Sequence, residues 1–321
     1  MPKKPKVSVI INCYNGSRDL PECLDSLRKQ TFTDFEIIFF DNCSTDNSAD
    51  IAKSFGEKLR YFKSEKNVPL GAARNLALKE VAGELIAFLD CDDLWKEDKL
   101  KLQVALMDKD PEIGLVSCDT LLFDGKKVLG RVFERSQPAR GFVFRQLVER
   151  QWISMSSAMV RRKALADLTS ETGEWVTGWF DETLNVCEEA DVFYRVAYNW
   201  KIDYVDQPLA IWRIHGRNTT FAKYGLFAKE TRIIAEKLKA LFSDYTRKYP
   251  DLVELLAERA AFQEAVDLWH NGFGADARKV LAPYRRSSNK HKLFWLCSYL
   301  PGSFFDLLAK VYFSLPSFIR R

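Results

Sequence analysis

Three carboxylates lie within four residues of one another, at Asp90, Asp92 and Asp93, directly after the apolar run 84–89. Like charges this close raise one another's pKa unless a cation neutralises them. Carboxylate oxygens suit a hard divalent ion, which in turn can hold a diphosphate. Continued strand alternation would place Asp90 and Asp92 on the same side. The pattern favours a metal site over its alternative, an acidic helix start in which Asp93 is the cap.

Two further apolar runs end in polar residues that could contact a ligand. The run 7–13 leads into NCYNG at 12–16, which either lines a nucleotide pocket or forms a plain turn. The run 35–40 is followed by Asp41, which is placed to accept hydrogen bonds from a base or a ribose. Asp46 precedes a helical pattern and is expected to cap it. The first loop is not G-x-G-x-x-G, and no G-x-x-x-x-G-K-[ST] occurs, which argues against a dinucleotide-binding fingerprint and a P-loop NTPase.

Carboxylates and a histidine also occur further along the chain. CEEAD at 187–191 opens a helical pattern, and acidic residues in a first helical turn often only complement the helix dipole. WRIH at 212–215 ends a strand-like run. A single histidine such as His215 is more often structural than a ligand. Neither feature therefore indicates a catalytic or ligand-binding role unless another part of the chain supports it.

The elements that must position these residues alternate between strand and helix over the first 125 residues. Buried strands are predicted at 7–13, 35–40, 59–62 and 84–89, and helices at 18–29, 46–54, 70–81 and 97–108. This alternation predicts an α/β fold with a parallel sheet and helices on both faces. In such sheets, ligands bind at the carboxyl ends of the strands.

The alternation of strands and helices becomes less regular from residue 115, and the sequence pattern is helical beyond about residue 219. Strands are predicted at 115–123 and 157–160, a helix at 188–199, and two short strands around Pro208 within 202–215. The remaining helices are predicted at 222–248, 251–270, 274–286, 289–300 and 302–314.

Composition limits the class of protein. The 321 residues include 48 Lys and Arg against 44 Asp and Glu, and this net charge of +4 is too balanced for a dedicated nucleic-acid binder. The seven cysteines are odd in number and include no C-x-x-C, so we expect reduced thiols rather than disulfides or a zinc site. The apolar run near the N-terminus is too short for a signal peptide, and no run reaches the ~18 apolar residues of a spanning helix. These features predict a cytoplasmic protein.

Six segments taken together resemble family 2 glycosyltransferases with the A-type nucleotide-diphospho-sugar (GT-A) fold. In chain order they are VSVIINCYNG (7–16), FEIIFFDNCSTDNS (35–48), LGAARNLAL (70–78), GELIAFLDCDDLW (83–95), GWFDETLNVCEEADVFYRV (178–196) and IWRIHGRNTT (211–220). They occur in family order and at family-like spacing, over residues 5 to about 222. The resemblance implies a Rossmann-like, mostly parallel central sheet flanked by helices. The helical pattern adds a C-terminal, all-helical appendage.

The resemblance implies an inverting glycosyltransferase of the hexosyltransferase type. Such an enzyme moves a sugar from a nucleotide-diphospho-sugar, usually a UDP-sugar, with the help of Mn²⁺ or Mg²⁺. The acceptor would be a hydroxyl of a saccharide or lipid-linked carrier in bacterial cell-surface polysaccharide or lipopolysaccharide synthesis. Two alternatives stay open. A sugar-nucleotide nucleotidyltransferase usually has a Gly-rich basic loop after the first strand, which 12–16 lacks; a catalytically inactive sugar-nucleotide-binding scaffold is the other.

The resemblance also implies roles for individual positions. Nucleotide and donor contacts fall on Cys13, Tyr14, Asn15, Asp41, Arg74, Asp90 and Cys91. Metal contacts fall on Asp92 and His215, with Asp90 as a further candidate. Trp179, Phe180 and Asp181 are candidates for the acceptor site, and ordinary core packing is the alternative for the two aromatic residues.

The general base departs from the family pattern. The family usually has Glu-Asp at the start of this helix, with the Asp as base, whereas this chain has Glu188 followed by Glu189. The resemblance therefore implies Glu189 as the base, with a side chain one methylene longer. Glu188 is the first alternative and Asp191 the second.

The predicted organisation has two parts. A catalytic domain spans 1–221, with a nucleotide-binding half at 1–110 and an acceptor-binding half at 111–221, and a helical region spans 222–321. Residues 289–321 contain five basic residues against one acid, a surplus equal to the +4 of the whole chain, together with eight aromatics. Aromatic and basic residues on amphipathic helices suit the surface of a membrane. The alternatives are packing on the catalytic domain or an oligomer interface.

Overall fold

The computed structural model describes residues 4–134, 136–168, 179–215, 224–302 and 304. The chain divides into two compact units, Met1–Gly216 and Arg217–Arg321. The predicted boundary between 221 and 222 falls among residues that the structure does not describe.

The first unit contains the strands and seven of the described α-helices. The strands are β1 (Val7–Cys13), β2 (Phe35–Asp41), β3 (Leu59–Lys63), β4 (Leu85–Phe88), β5 (Leu94–Trp95), β6 (Ile113–Phe123), β7 (Val128–Arg131), β8 (Met159–Arg161) and β9 (Lys201–Arg213). The helices are α1 (Leu20–Arg28), α2 (Ser48–Lys53), α3 (Leu70–Leu78), α4 (Lys99–Lys109), α5 (Phe144–Glu149), α6 (Arg162–Ala166) and α7 (Glu188–Asn199). In the second unit the helices are α8 (Phe227–Leu241), α9 (Tyr245–Lys248), α10 (Pro250–His270), α11 (Gly274–Leu281) and α12 (Asn289–Cys297).

The described strands form one sheet in the order β3-β2-β1-β4-β8-β6-β9-β5, with β7 paired to β6. β3, β2, β1 and β4 run parallel to one another. β8 is antiparallel to both of its neighbours, whereas β6 is parallel to β9. The predicted α/β fold with a mostly parallel central sheet and flanking helices is confirmed, and so is the helical C-terminal region.

β1 lies between β2 and β4 in the parallel part of the sheet. All its residues are buried, as expected for a continuous apolar, β-branched run that is covered on both faces. Cys13 pairs with Asp41 where β1 and β2 end. β4 ends at Phe88, which pairs with Ile10 of β1. The carboxyl ends of these strands therefore meet at one edge, and the loops that follow them lie together.

The segment 202–215 differs from its prediction. It forms the single strand β9 rather than two short strands around Pro208. Pro208 lies opposite Asp119 of β6, and the register between the two strands shifts on either side of this pair. A proline has no N–H to donate, so the irregularity lets the strand continue past it. The strand then runs without a break to Arg213, two residues before His215.

The predicted helix 222–248 is wrong as a single element. Its described part forms α8 and α9, and the chain is extended at Phe242 between them. β5, β7, α5 and α6 have no counterpart in the sequence prediction. Each contains only two to six residues, which is too few for a recognisable periodicity.

The second unit has an apolar core of its own. Trp269 of α10 and Leu281 of α11 belong to this core, and Phe294 and Trp295 of α12 pack against it. The indole N–H of Trp269 donates to the Leu300 carbonyl at 2.9 Å, which fixes the chain after α12. Within the residues that the structure describes, no helix is long and apolar enough to cross a membrane. The predicted helix 302–314 lies almost wholly outside the described residues.

Candidate active site

The acidic segment after β4 is a turn and not a continued strand. The backbone N–H of Asp93 donates to the Asp90 carbonyl at 3.0 Å, which closes the turn. Strand alternation is therefore the wrong reason for grouping Asp90 and Asp92, although the turn still keeps the two carboxylates close enough to interact. The side chain of Asp90 is 40% exposed and that of Asp92 is 31% exposed. Two of the three carboxylates thus face solvent from one turn.

Asp93 points into the protein and does not cap a helix. Its carboxylate accepts hydrogen bonds from the Ser156 hydroxyl at 2.6 Å and from the backbone N–H of Arg213 at 2.9 Å. Burial raises the pKa of Asp93 well above its usual range, and the charges of Asp90 and Asp92 raise it further. Asp93 therefore connects the acidic turn to the segment that precedes β8 and to the last residue of β9.

His215 lies beside Asp92. Its Nε2 is 3.0 Å from Oδ2 of Asp92, so a carboxylate and an imidazole from distant parts of the chain share one location. Burial and the charge of Asp90 raise the pKa of Asp92, while the hydrogen bond with His215 opposes the rise. Among the described residues no group of three or more His, Cys, Asp or Glu could hold a metal ion. An open pair suits a divalent cation that takes its other ligands from water and substrate phosphates.

Arg74 of α3 connects the acidic turn with α7. Its Nη1 donates to Glu188 at 2.8 Å and its Nη2 to Asp90 at 3.3 Å, and its side chain is 3% exposed. Burial opposes the charged form, but Asp90, Glu188 and Glu189 together raise the pKa of Arg74 above its ordinary value. The guanidinium is therefore a fixed positive charge between two groups of carboxylates.

The three carboxylates at the start of α7 have different surroundings. Glu188 is buried in its salt bridge with Arg74. Asp191 is buried in a 2.7 Å salt bridge with Arg195. Glu189 is half-buried, and the described residues place no salt bridge on it. Of the three base candidates, Glu188 and Asp191 are therefore paired with arginines, whereas the described residues form no salt bridge with Glu189.

The carboxyl group of Glu189 has a raised pKa. Burial raises its pKa to about 8, and Glu188 and Asp90 add to the rise, against the opposing effects of Arg74 and of a hydrogen bond from the Met155 backbone. A proton acceptor works best when its pKa is close to the working pH. The choice of the base among Glu189, Glu188 and Asp191 stays a prediction.

The segment predicted to line an acceptor site is held through its backbone. Phe180 is fully buried and packs edge-to-face on Phe88, with 5.8 Å between ring centroids, so the core-packing interpretation holds for it. The Asp181 carboxylate is turned to its own loop, where it accepts from the backbone and hydroxyl of Thr183. Trp179 is half-buried. Of these three candidates, Trp179 is the most exposed.

Asn75 and Arg195 position this segment, and the sequence prediction missed both. Asn75 exchanges a pair of 2.8 Å hydrogen bonds with the backbone of Phe180, as one strand does with its neighbour. Arg195 donates to the Trp179 carbonyl at 2.6 Å while it holds Asp191. The available signal was the polar pair Arg74-Asn75 inside an otherwise apolar helix, since buried polar side chains require partners.

The loops after β1 and β2 form the other side of the site. Tyr14, in the first of these loops, is an exposed residue with 54% of its surface accessible to solvent. Asn15 has a φ of 52°, and its amide oxygen accepts from the Thr45 backbone at 2.8 Å. Asp46 accepts from the backbone N–H groups of Ser17 and Ser48 and so ties the two loops together, but the N-cap residue of α2 is Asn47 and not Asp46 as predicted.

Asp41 is the predicted ligand that the structure buries most deeply. It is 0% exposed, and its two carboxylate oxygens accept from the Ser44 backbone at 2.7 Å and from the Tyr61 hydroxyl at 2.6 Å. Burial and this hydrogen bond raise the pKa of Tyr61, so the phenol stays a donor. These bonds give Asp41 a structural role at the end of β2, and its contact with a nucleotide stays a prediction. Cys13 and Cys91, the remaining predicted contacts, lie next to each other between this loop and the acidic turn.

The family of the chain follows from comparison with known proteins. The model of glycosyl transferase family 2 matches residues 8–168, half of the chain, and the chain belongs to this family. An uncharacterized glycosyltransferase of Rickettsia felis is 30% identical over 248 residues, which are 75% of this chain and 39% of that protein. The poly(ribitol-phosphate) beta-N-acetylglucosaminyltransferase TarS of Staphylococcus aureus is 37% identical over 131 residues, 39% of this chain and 22% of TarS. The chain thus spans about two fifths of the length of the Rickettsia relatives, which have 39% of their length covered.

Solved structures share the fold. S. aureus TarS 1-349 in complex with UDP-GlcNAc has a TM-score of 0.61 and 22% identity, over 95% of this chain and 92% of that one. The mannosyltransferase PcManGT from Pyrobaculum calidifontis, in complex with GDP-Man and Mn²⁺, has a TM-score of 0.55 and 16% identity, over 98% of this chain and 89% of that one.

Proposed function

We propose that this protein is an inverting glycosyltransferase that moves a sugar from a nucleotide-diphospho-sugar, preferentially a UDP-sugar, to a hydroxyl of a saccharide or lipid-linked acceptor. The observation that carries the proposal is the buried guanidinium of Arg74, which bonds both Asp90 and Glu188. This bridge brings the acidic turn and the first turn of α7 to one place. A donor diphosphate at Asp92 and an acceptor hydroxyl at Glu189 would then be neighbours.

The residues at the acidic turn fit Mn²⁺ or Mg²⁺. Asp92 would supply a carboxylate and His215 an imidazole, a mixed donor set that Mn²⁺ accepts, and Asp90 is a further candidate. When bound, the ion would neutralise the negative charge that develops on the departing diphosphate. Arg74 keeps Asp90 in place beside it.

Glu189 takes the proton from the acceptor hydroxyl in this proposal. As the proton leaves, the hydroxyl oxygen attacks the anomeric carbon on the face opposite the diphosphate, the bond to the diphosphate breaks, and the configuration inverts. The transition state has oxocarbenium character, as in glycoside hydrolysis, with a sugar hydroxyl in place of water. A single carboxylate suffices for the proton chemistry, because a nucleoside diphosphate is a weak base that leaves as an anion without being protonated.

The nature of the donor is supported by the ligands of the structural neighbours and by Tyr14. TarS 1-349 was solved with UDP-GlcNAc and PcManGT with GDP-Man and Mn²⁺, and both ligands are nucleotide-diphospho-sugars. The exposed Tyr14 ring offers a surface on which a base could stack. Uridine is our first choice, and guanosine and thymidine diphosphates are the comparisons to make.

We extend the proposal to cell-surface polysaccharide synthesis on the cytoplasmic face of the membrane, in line with the named substrate of TarS. The described part of 289–321 supports contact with a membrane surface. Leu293 and Leu296 of α12 are each 60% exposed, while Phe294 and Trp295 pack inward. The double variant Leu293→Ser/Leu296→Ser should weaken co-sedimentation of the full chain with anionic vesicles. Equal sedimentation of the variant and the wild type would favour the alternative that α12 serves only in packing.

A thermal-shift screen followed by a transfer assay tests the function. Full-length protein is mixed with uridine, guanosine or thymidine diphosphate, or their diphospho-sugars, with and without Mn²⁺. A ligand at 100 times its Kd stabilises by about 2.7 kcal/mol, which gives a measurable shift. We expect a Mn²⁺-dependent shift that Asp92→Asn abolishes and Glu189→Gln preserves.

The same variants separate the competing functions. Sugar transfer that falls at least about 100-fold in Glu189→Gln supports the proposed enzyme, since general base catalysis is worth that much. Binding without any turnover indicates a scaffold. Release of pyrophosphate from a nucleoside triphosphate and a sugar phosphate indicates a nucleotidyltransferase. Transfer by Glu189→Gln at the wild-type rate would move the base to Glu188 or Asp191.

A further inference from the structure

Two cysteines lie side by side where the donor is proposed to bind. The parallel register of β1 and β4 pairs Ile10 with Phe88, and the Leu89 N–H continues it by donating to the Ile10 carbonyl at 3.0 Å. Cys13 is the last residue of β1, and Cys91 lies in the turn that follows β4, so both cysteines lie at the carboxyl ends of these neighbouring strands.

Gly16 lies next to the sulfur atoms of both cysteines. A Cβ at position 16 would lie 2.8 Å from Sγ of Cys13 and 2.9 Å from Sγ of Cys91, so both sulfurs reach the same point. Because both sulfurs lie within 2.9 Å of one point, they are at most about 5.8 Å apart, and rotation of the two side chains can bring them to bonding distance. The absence of a side chain at Gly16 leaves room for the two sulfurs to approach.

The two thiols differ in access to solvent. Cys13 is 2% exposed at the end of β1, whereas Cys91 is half-buried in the acidic turn. A small oxidant can therefore reach Cys91 first, and Cys13 is adjacent to resolve the product. Cys23 is a third thiol nearby, but it is buried and directed at the Asp90 carbonyl, 3.7 Å away.

We propose that Cys13 and Cys91 form an oxidation site, at which a peroxide closes a disulfide and thereby blocks the donor site. In the first step the Cys91 sulfur attacks hydrogen peroxide, the O–O bond breaks, and a sulfenic acid and one water form. In the second step the Cys13 sulfur attacks the sulfenic sulfur, an S–S bond forms, and hydroxide leaves and takes up the thiol proton as a second water. Two thiols are oxidised and one peroxide is reduced to two waters.

The disulfide would change the donor site because Cys91 stands between Asp90 and Asp92. An S–S bond draws the turn toward β1, and the two carboxylates move with it. Asp90 then loses its alignment with Arg74, and Asp92 loses its alignment with His215, both of which are bonded in the reduced protein. This consequence rests on the proposed function, whereas formation of the bond does not.

Peptide mapping tests the bond independently of function. The full chain is reduced, exposed to hydrogen peroxide, quenched with an alkylating agent, digested and analysed by mass spectrometry. We expect a peptide pair joined through Cys13 and Cys91 that disappears on treatment with dithiothreitol. Cys91→Ser and Cys13→Ser should each prevent its formation, and Cys297→Ser, a half-exposed thiol in the second unit, should not. A bond from Cys91 to Cys23, or overoxidation of Cys91 without a cross-link, would overturn the proposal.

Donor binding gives the second measurement. The oxidised wild-type protein should bind a uridine diphosphate–Mn²⁺ mixture at least tenfold more weakly than the reduced protein, and reduction should restore the affinity. Unchanged affinity of a fully cross-linked sample would contradict the blocking role. If neither form binds any nucleoside diphosphate while the cross-link still forms, the proposed function fails and the oxidation site stands.

Discussion

Nη1 of Arg74 donates a 2.8 Å hydrogen bond to Oε1 of Glu188, and these side chains are 3% and 6% exposed. The two residues are 114 positions apart in the chain. A buried ion pair is costly to form but more costly to break, because the remaining charge has no compensation. This contact therefore fixes α3 and α7 relative to each other, and with them the acidic turn and Glu189.

Loss of Arg74 should destabilise the protein far more than loss of a surface arginine. We expect Arg74→Met to lower the free energy of unfolding by about 3–5 kcal/mol, because it leaves Glu188 charged and buried. Arg145→Met, which breaks the exposed 3.5 Å pair with Glu149, is the matched control and should cost about 0–1 kcal/mol. Urea denaturation measures both. Similar losses in the two variants would mean that the Arg74 pair is not desolvated.

The rate of transfer should rise with pH through the pKa of Glu189. Only the ionised carboxylate accepts a proton, and the pKa of this group in the free protein is about 8. The value of kcat/KM should therefore increase about tenfold per pH unit below that value and level off above it. The profile is measured with wild type and with Glu57→Gln, an exposed carboxylate far along the chain that should leave it unchanged. A flat profile between about pH 6 and pH 9 would contradict Glu189 as the base.

The same group should make stability depend on pH. The pKa of Glu189 is about 8 in the folded protein against 4.5 for an unperturbed Glu, so the folded state binds the proton more tightly. Its contribution to stability is fully present below pH 4.5 and is lost as the pH rises through about 8. Glu189→Gln cannot ionise and should be more stable than wild type at alkaline pH, with a smaller difference at acidic pH. Thermal unfolding at several pH values checks the sign, and a difference that does not change with pH would contradict it.

Asn75 should act on the acceptor side of the site through Trp179. Asn75→Asp keeps the shape but removes the N–H₂ that donates to the Phe180 carbonyl at 2.8 Å and to Glu182 at 3.0 Å. We expect a loss of about 1–3 kcal/mol in stability, and an increase in KM for the acceptor that exceeds any change in donor affinity. Asn47→Asp on the exposed start of α2 is the control and should change neither. An equal effect on donor and acceptor would indicate general unfolding of the site.

The parallel part of the fold was predictable because its signals are local. Runs such as Val7–Cys13 are apolar throughout, and a strand that is covered on both faces needs that composition. The helix at 188–199 begins and ends where the pattern predicts, since acidic residues open it and apolar residues follow at helical spacing. The later strands are less regular because packing on their neighbours decides them. The sequence predicts that the strand breaks at Pro208, because proline has no N–H to donate. The shift in register beside Asp119 lets β9 continue through this position.

The candidate site was predictable in its residue types and less so in its contacts. Asp92 and His215 could be named from their motifs, but their 3.0 Å contact depends on how β9 ends. The three carboxylates of α7 look alike in the sequence. Two of them pair with Arg74 and Arg195 and the third does not, and this difference depends on the tertiary structure, which sets the positions of the two arginines. Long-range pairs of this kind leave no periodicity for a sequence argument to detect.

The length of β9 determines where Arg213 and His215 lie relative to the acidic turn. It is held by β6 along one side and by β5 along the other, and at its end the Arg213 N–H and His215 meet Asp93 and Asp92. Side chains on a strand alternate, so a single residue inserted or deleted after Pro208 would turn His215 away from the acidic turn. The number of residues in this stretch is thus constrained more strictly than most of their identities. Evolution can therefore change the side chains of this strand more readily than its length.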